Sequence, residues 1–280
     1  MLSLSYLMRL SLHLPTMTDN LSNIHLSKDE FQEYGYRLVD WLAEYFDNVG
    51  QYEVLPSMEP GDIRNMLPVS APERAESMDE IIADLDRVVM PGMAHWQHPG
   101  WYAFFPSGAS PVSALGEFVA AGLATQGMMW STAPAATEIE NTVLDWLVDL
   151  LGLPSSWRLD EGPGGGVIQM SASDSTHLSL AVARHQFELS GADANSLVAY
   201  GSSQAHSSIE KGARIAGFKH IRSVPVTQTF GIDADAFAQI VRDDIDSGLI
   251  PAWVCSAVGT TNTTAMDPIR AIASIATKNG

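Results

Sequence analysis

Four stretches of this chain gather residue types that can do chemistry. The first is Gly162-Pro163-Gly164-Gly165-Gly166, a short apolar run, and then Ser171-Ala172-Ser173-Asp174-Ser175-Thr176 opening a helical pattern. The first turn of a helix has N–H groups without acceptors and the positive end of the helix dipole. Small hydroxyl residues there let an anion approach closely, so the stretch can cradle a phosphate. It is neither a Walker A loop nor a dinucleotide-binding glycine turn, because no Gly-Lys-Ser/Thr follows and the glycines precede a strand. A capped helix behind a glycine-rich loop would look the same. The second stretch, Ser202-Ser203-Gln204-Ala205-His206-Ser207-Ser208, directly follows the apolar run 197–200. In an open α/β sheet, ligands lie beyond the carboxyl ends of strands. His206 there can stack on an aromatic ligand or move a proton, or it can be a surface histidine beside a capping serine. The third, Val258-Gly259-Thr260-Thr261-Asn262-Thr263-Thr264, ends the apolar run 252–258 and reads as a polar binding loop or as an ordinary strand-to-helix connection. The fourth is His95-Trp96-Gln97-His98-Pro99-Gly100-Trp101-Tyr102-Ala103-Phe104-Phe105-Pro106. Its two histidines have no third ligand nearby in sequence, and Pro99 forbids a regular helix, so no metal site is expected. An aromatic pocket wall fits better, with core packing as the alternative. No G-x-S-x-G elbow is present to support a serine hydrolase.

The elements that must hold these stretches can be read from periodicity and punctuation. Ser27-Lys28-Asp29-Glu30 is a capping-box signature. Phe31, Tyr34, Leu38, Leu42 and Tyr45 then follow helical spacing, which predicts an amphipathic helix over 28–48. Residues 50–76, with Pro56, Pro60, Pro68 and Pro72, read as irregular linker. Ser77-Met78-Asp79-Glu80 opens a second helix through Val89, stopped by Pro91-Gly92. Helices follow over 112–123 and 134–151. Strands are then predicted at 164–170, 197–200, 221–226 and 252–258, alternating with helices at 173–189, 207–217, 233–245 and 267–278. That alternation predicts an open, largely parallel α/β sheet. The division reads as a disordered extension over 1–26, an N-terminal helical segment over 27–110 and an α/β domain over 111–280. The apolar first 16 residues are either a targeting segment or an extension ahead of a natural start at Met17.

Composition narrows the classes. The chain has 280 residues, 46% of them hydrophobic, which is a core-forming composition. With 33 acidic against 15 basic residues the net charge is −18, which argues against nucleic acid and anionic membrane as partners. The single cysteine, Cys255, excludes an intrachain disulfide and a thiolate metal cluster. No apolar run is long enough to span a bilayer. Cytoplasmic localisation is the expectation.

From Phe31 to the end, in order, the chain resembles the group II pyridoxal-phosphate (PLP) amino-acid decarboxylases, and most closely the aromatic-L-amino-acid decarboxylases. Six collinear segments carry the resemblance: the helix around Arg37 to Trp41, HWQHPGWYAFFP, STAPAATEIENTVLDWL, GGGVIQMSASDST, LVAYGSSQAHSSIEKGARIAG and AVGTTNTTAMDPI. The resemblance implies the large domain of the aspartate aminotransferase-like, fold type I PLP-dependent transferases, here incomplete and preceded by an N-terminal helical segment. It implies that Ser171, Ala172 and Ser173 bind the cofactor phosphate, that His206 stacks on the pyridine ring, and that Thr261 contacts the cofactor. Trp96, Phe104, Phe105 and Pro106 are similar to the family's substrate-side aromatic wall. The family's members are homodimers whose N-terminal helices wrap the partner, and they convert an L-amino acid to its amine and CO2. Two departures bear on the substrate. Phe104 stands where aromatic members carry tyrosine, and His177 stands where a small or apolar residue is usual.

The four lysines, Lys28, Lys211, Lys219 and Lys278, sharpen this expectation. None matches the family's Asn-x-His-Lys cofactor site, and the aspartate that faces the ring nitrogen has no counterpart. The expectation is an N-terminal fragment of a longer PLP-dependent decarboxylase, inactive alone. Other PLP chemistry on the same fold, such as an aldehyde synthase or lyase, and a non-catalytic binding module remain as alternatives.

Overall fold

The computed structural model describes residues 25–105, 108–162 and 164–279. Pro106, Pro163 and the apolar first 16 residues lie outside the described residues. The chain divides into two compact units, Met1–Val119 and Ala120–Gly280.

The first unit is built on α1 (Lys28–Asn48), whose start is fixed by both halves of its capping box. The Glu30 N–H donates to Ser27 Oγ at 3.3 Å, and the Ser27 N–H donates to the Glu30 carboxylate at 2.8 Å. Those bonds hold the Glu30 carboxyl below its ordinary pKa. After the short helix α2 (Asp62–Met66), a second capping box at Ser77 opens α3 (Met78–Asp84). Trp41 Nε1 donates to Asp86 at 2.9 Å, and Arg37 pairs with Asp79, so α1 is tied to α3 and the turn beyond it. The helix expected to run regularly to Val89 instead widens into a π turn over Leu85–Val89 and ends in a 3₁₀ turn over Met90–Gly92. Pro91 has no N–H to return to Arg87, and its ring would crowd that carbonyl in a regular helix. Helix α4 (Pro111–Leu123) carries the chain across the boundary between the units.

In the second unit, α5 (Pro134–Leu151) starts with proline in its first turn and stops at Gly152, which takes φ 65°. Proline's fixed φ suits the first position, and only glycine enters the left-handed C-cap without steric cost. The expected strand at 164–170 is not formed: the segment pairs with no other strand among the described residues. Its Ile168 N–H goes to the Glu140 carboxylate at 2.6 Å, so the backbone is satisfied by a side chain of α5. Helix α6 (Ala172–Leu189) follows.

Among the described residues, three parallel strands form the sheet: β1 (Leu197–Ser202), β2 (His220–Val224) and β3 (Ile250–Val254), in the order β2-β1-β3. Ala199 stands opposite both Ile221 and Trp253. β3 starts earlier and ends earlier than its sequence predicts. It contains Pro251, accommodated where the pairing slips between Val198 and Ala199. Both faces of β1 are buried. Val198 and Tyr200 pack with Phe237, Val241 and Ile272 from α8 (Ala234–Asp246) and α9 (Ile269–Lys278). Leu197 and Ala199 pack with Leu180 of α6 and Ala213 of α7 (Ser208–Ile215). The result is helix, sheet and helix in three layers, as alternating strands and helices require. A polar cluster penetrates it: Tyr200 donates to Asp244 at 2.9 Å, and the Arg222 guanidinium donates to both oxygens of the same carboxylate. No helix among the described residues is long and apolar enough to cross a membrane.

Candidate functional site

The chain leaves β1 for β2 on one side and then crosses to β3 on the other. The carboxyl ends of β1 and β3 therefore flank the point where the order reverses, which is where open α/β sheets bind ligands. The loop after β1 carries His206, and the loop after β3 carries Thr260 and Thr261. Helix α6 enters β1 through the short turn 190–196 and runs in the same direction as α7, with His177 against Gly212 and Arg184 against Gly217. Its N-terminus thus lies at the same edge of the sheet. Ser171, Ala172 and Ser173 at the start of α6, His206 after β1 and Thr261 after β3 thus stand on segments at the carboxyl-end edge of the sheet, and the cleft that His206 lines is formed by β1, α7 and β2.

Each is held by local chemistry. Ser171 is the N-cap of α6: its hydroxyl accepts from the Asp174 N–H at 3.2 Å and donates to the Asp174 carboxylate at 2.9 Å. Ala172 and Ser173 follow as the first two helical residues, so their N–H groups have no intrahelical acceptor. The His206 Nδ1 accepts the Ser208 N–H at 3.2 Å and meets Ser208 Oγ at 2.9 Å. A ring nitrogen that accepts a backbone N–H is unprotonated, so the neutral ring carries its proton on Nε2. Ser208 is buried while His206 is exposed, which anchors the ring from beneath and leaves it accessible. His206, Ser202, Ser203 and Arg222 line a cleft of about 300 Å³.

Thr261 is exposed at the tip of a loop closed by an antiparallel bridge between Val258 and Met266. Within the loop, the Gly259 and Thr260 N–H groups both donate to the Ala265 carbonyl, and Thr260 Oγ1 meets Thr263 Oγ1 at 2.6 Å. Helix packing sets the remaining approach. A Cβ at Gly212 would lie 2.6 Å from His177 Cδ2, so glycine is what lets α7 lie against α6 and its histidine.

The aromatic stretch belongs to the first unit. Trp96 stacks on Trp101 with centroids 4.7 Å apart and on Phe104 at 5.8 Å. Phe104 takes a positive φ of 57°, and Phe104 and Phe105 are both exposed. The two histidines have other employment. Tyr45 OH meets the buried His95 Nδ1 at 3.0 Å, and Tyr52 stacks on the same ring at 4.8 Å. His98 accepts the Gly100 N–H on Nδ1 and donates from Nε2 to the Gly50 carbonyl. No group of three metal-binding side chains occurs among the described residues.

The partners of two buried carboxylates, Asp244 and Asp267, were not legible in the sequence. Asp267 accepts the Ile232 N–H at 2.7 Å and the Ala257 N–H at 2.6 Å.

Comparison with known proteins supplies the remaining findings. Residues 60–280 match the model of the pyridoxal-dependent decarboxylase conserved domain. The chain is 40% identical over 261 residues to an aromatic-L-amino-acid decarboxylase of Catharanthus roseus, covering 91% of this chain and 52% of that protein. It is 38% identical over 261 residues to a phenylacetaldehyde synthase of Arabidopsis thaliana, covering 91% and 53%. The structure of Catharanthus roseus tryptophan decarboxylase in complex with L-tryptophan superposes with a TM-score of 0.85 at 39% identity, over 91% of this chain and 54% of that one. The chain thus spans about half the length of the curated relatives it matches.

Proposed function

The chain belongs to the pyridoxal-dependent decarboxylases, and on that premise we propose that the whole protein removes CO2 from an aromatic L-amino acid with PLP bound at the edge of the sheet described above. The observation that supports this is that the α6 N-terminus, the loop carrying His206 and the threonine loop all stand at the carboxyl-end edge of the sheet. The residues suit the cofactor. The first N–H groups of an 18-residue helix and the Ser173 hydroxyl can hold a phosphate dianion. The accessible His206 ring can lie against a flat heteroaromatic ring, and its Nε2–H can donate to an acidic group beside it. Thr261 adds an exposed hydroxyl. When bound, PLP supplies an electron sink for the pair left behind as CO2 departs.

Trp96, Phe104, Phe105 and Pro106 are assigned to the substrate side in this reading, and a homodimer belongs to it. Phe31, Tyr36 and Val39 of α1 are 55%, 62% and 45% exposed, a face suited to a second copy. A second reading, aldehyde formation from the same amino acids, has specific support in the 38% identity to a phenylacetaldehyde synthase. The test is product analysis of the full-length protein with PLP and a panel of tryptophan, tyrosine, phenylalanine and dihydroxyphenylalanine. Amine and CO2 in equal amounts are expected. Aldehyde in place of amine selects the second reading. Absence of both, with no quenching of tryptophan fluorescence by PLP, overturns both.

A further inference from the structure

The Asp267 carboxylate is 6% exposed and lies in none of the stretches first singled out for chemistry, yet it joins three parts of the chain. One oxygen accepts the Ile232 N–H, 35 residues away, and the other accepts the Ala257 N–H, 10 residues away. Its own backbone N–H returns to the Ala257 carbonyl at 2.9 Å. Ala257 and Asp267 are the two ends of the loop that carries Thr260 and Thr261, so a single residue closes it. Ile232 is part of the sheet's core, which makes that closure an attachment to the rigid body.

The loop also holds strain. Thr264 adopts φ 55°, a conformation unusual for a β-branched residue. Its N–H reaches back to the Thr260 carbonyl at 2.8 Å, and its hydroxyl donates to the Thr263 carbonyl at 2.7 Å. Such a conformation persists only where surrounding bonds over-determine it. The bonds that do so here are the Val258–Met266 bridge, the paired donors to the Ala265 carbonyl, and the Asp267 closure.

We propose that Asp267 is a positioning residue that clamps both ends of the 257–267 loop to the sheet and thereby sets where Thr261 stands at the crevice between β1 and β3. The inference rests on the reading above, in which Thr261 contacts PLP. A carboxylate is required because both atoms facing the two N–H groups must accept. In Asp267→Asn one of them becomes an NH2 group, which leaves one backbone N–H facing a donor.

Asp244 provides the control. It is also buried and also accepts from several donors, but it lies under Tyr200 and Arg222 and touches no part of the threonine loop. The experiment compares Asp267→Asn, Asp244→Asn and the unmodified chain. It reads amide hydrogen exchange over 257–267, thermal unfolding, and PLP affinity by quenching of tryptophan fluorescence. Both variants should melt lower. Only Asp267→Asn should speed exchange of the loop amides selectively and weaken PLP by about tenfold or more. An Asp244→Asn variant that weakens PLP as much as Asp267→Asn overturns the proposal, and so do loop amides that exchange at the unmodified rate in Asp267→Asn. If Asp267→Asn does not fold, the unmodified chain decides: the Ala257 and Ile232 amides should exchange as slowly as those of β1, and exchange at the rate of open loops overturns the clamp. Absence of any PLP quenching in the unmodified chain would defeat the functional reading, while the exchange measurements would still judge the clamp.

Discussion

The sheet of the second unit and the aromatic helical region of the first spend their apolar residues differently. β1 is buried from Leu197 to Ser202, with Leu197 and Val198 fully inaccessible and Ala199 and Tyr200 1% exposed. The first unit is rich in large aromatic side chains, yet α1 has no buried residue, and Tyr36, Tyr102 and Phe104 are 62%, 94% and 71% exposed. A parallel strand flanked by neighbours and covered by helices on both faces closes a core within one chain. An amphipathic helix packed along part of its circumference leaves the rest of its stripe available for another surface. The first region should therefore govern stability and the second should govern association.

The largest effect should come from Phe237, which is 2% exposed and edges against Tyr200 at 5.5 Å. Phe237→Ala should cost about 3–5 kcal/mol in denaturant unfolding. Phe31→Ala, at a residue 55% exposed, should leave the unfolding midpoint nearly unchanged and shift sedimentation toward monomer. A comparable loss of stability at both sites would break the contrast. Next, Gly212→Ala places a Cβ against His177 and should cost about 1–3 kcal/mol. Adding His177→Ala should recover part of that cost, and strict additivity in the double-mutant cycle would show that the two residues do not meet.

A pH effect should mark the first unit. Burial, with a smaller contribution from His98, pushes the His95 pKa below its ordinary 6.5. A group harder to protonate when folded lets the unfolded chain take up protons first. The stability is present above about 6.5 and is lost as pH falls below it. Tryptophan fluorescence followed from pH 8 to 5 should report loosening around Trp41, Trp96 and Trp101. Replacing His95 by Asn should remove the dependence, and an unchanged profile would assign it elsewhere. The smallest effect is at the α1 cap: Ser27→Ala should cost about 1 kcal/mol and reduce helicity measured by circular dichroism.

Much of this was legible in the residues. The capping boxes at Ser27 and Ser77 announced where α1 and α3 begin, because a cap is complete within four residues. The apolar run at 197–200 announced β1, and the hydroxyl-rich segments after it and after β3 form the loops at the carboxyl ends of those strands. The segment 164–170 has the composition of a strand, but a strand exists only as part of a ladder, and no neighbour pairs with it among the described residues. β3 begins at Ile250 and includes Pro251, which a slip in pairing with β1 accommodates. The Leu85–Val89 turn widened because of Pro91, a signal present in the sequence that gave the stop but not the form of the approach to it.

The sequence by itself determined the local events: caps, turns, the period of each helix, the glycines at its ends, and the resemblance that named the family. Those depend on residues a few positions apart and are written in short windows. Only the tertiary structure decided that β1 lies between β2 and β3 and that Asp267 holds the threonine loop. Its partner Ile232 stands 35 residues away, and nothing in either segment alone specifies the meeting. It follows from the order in which the strands pair and from the helices that cover them.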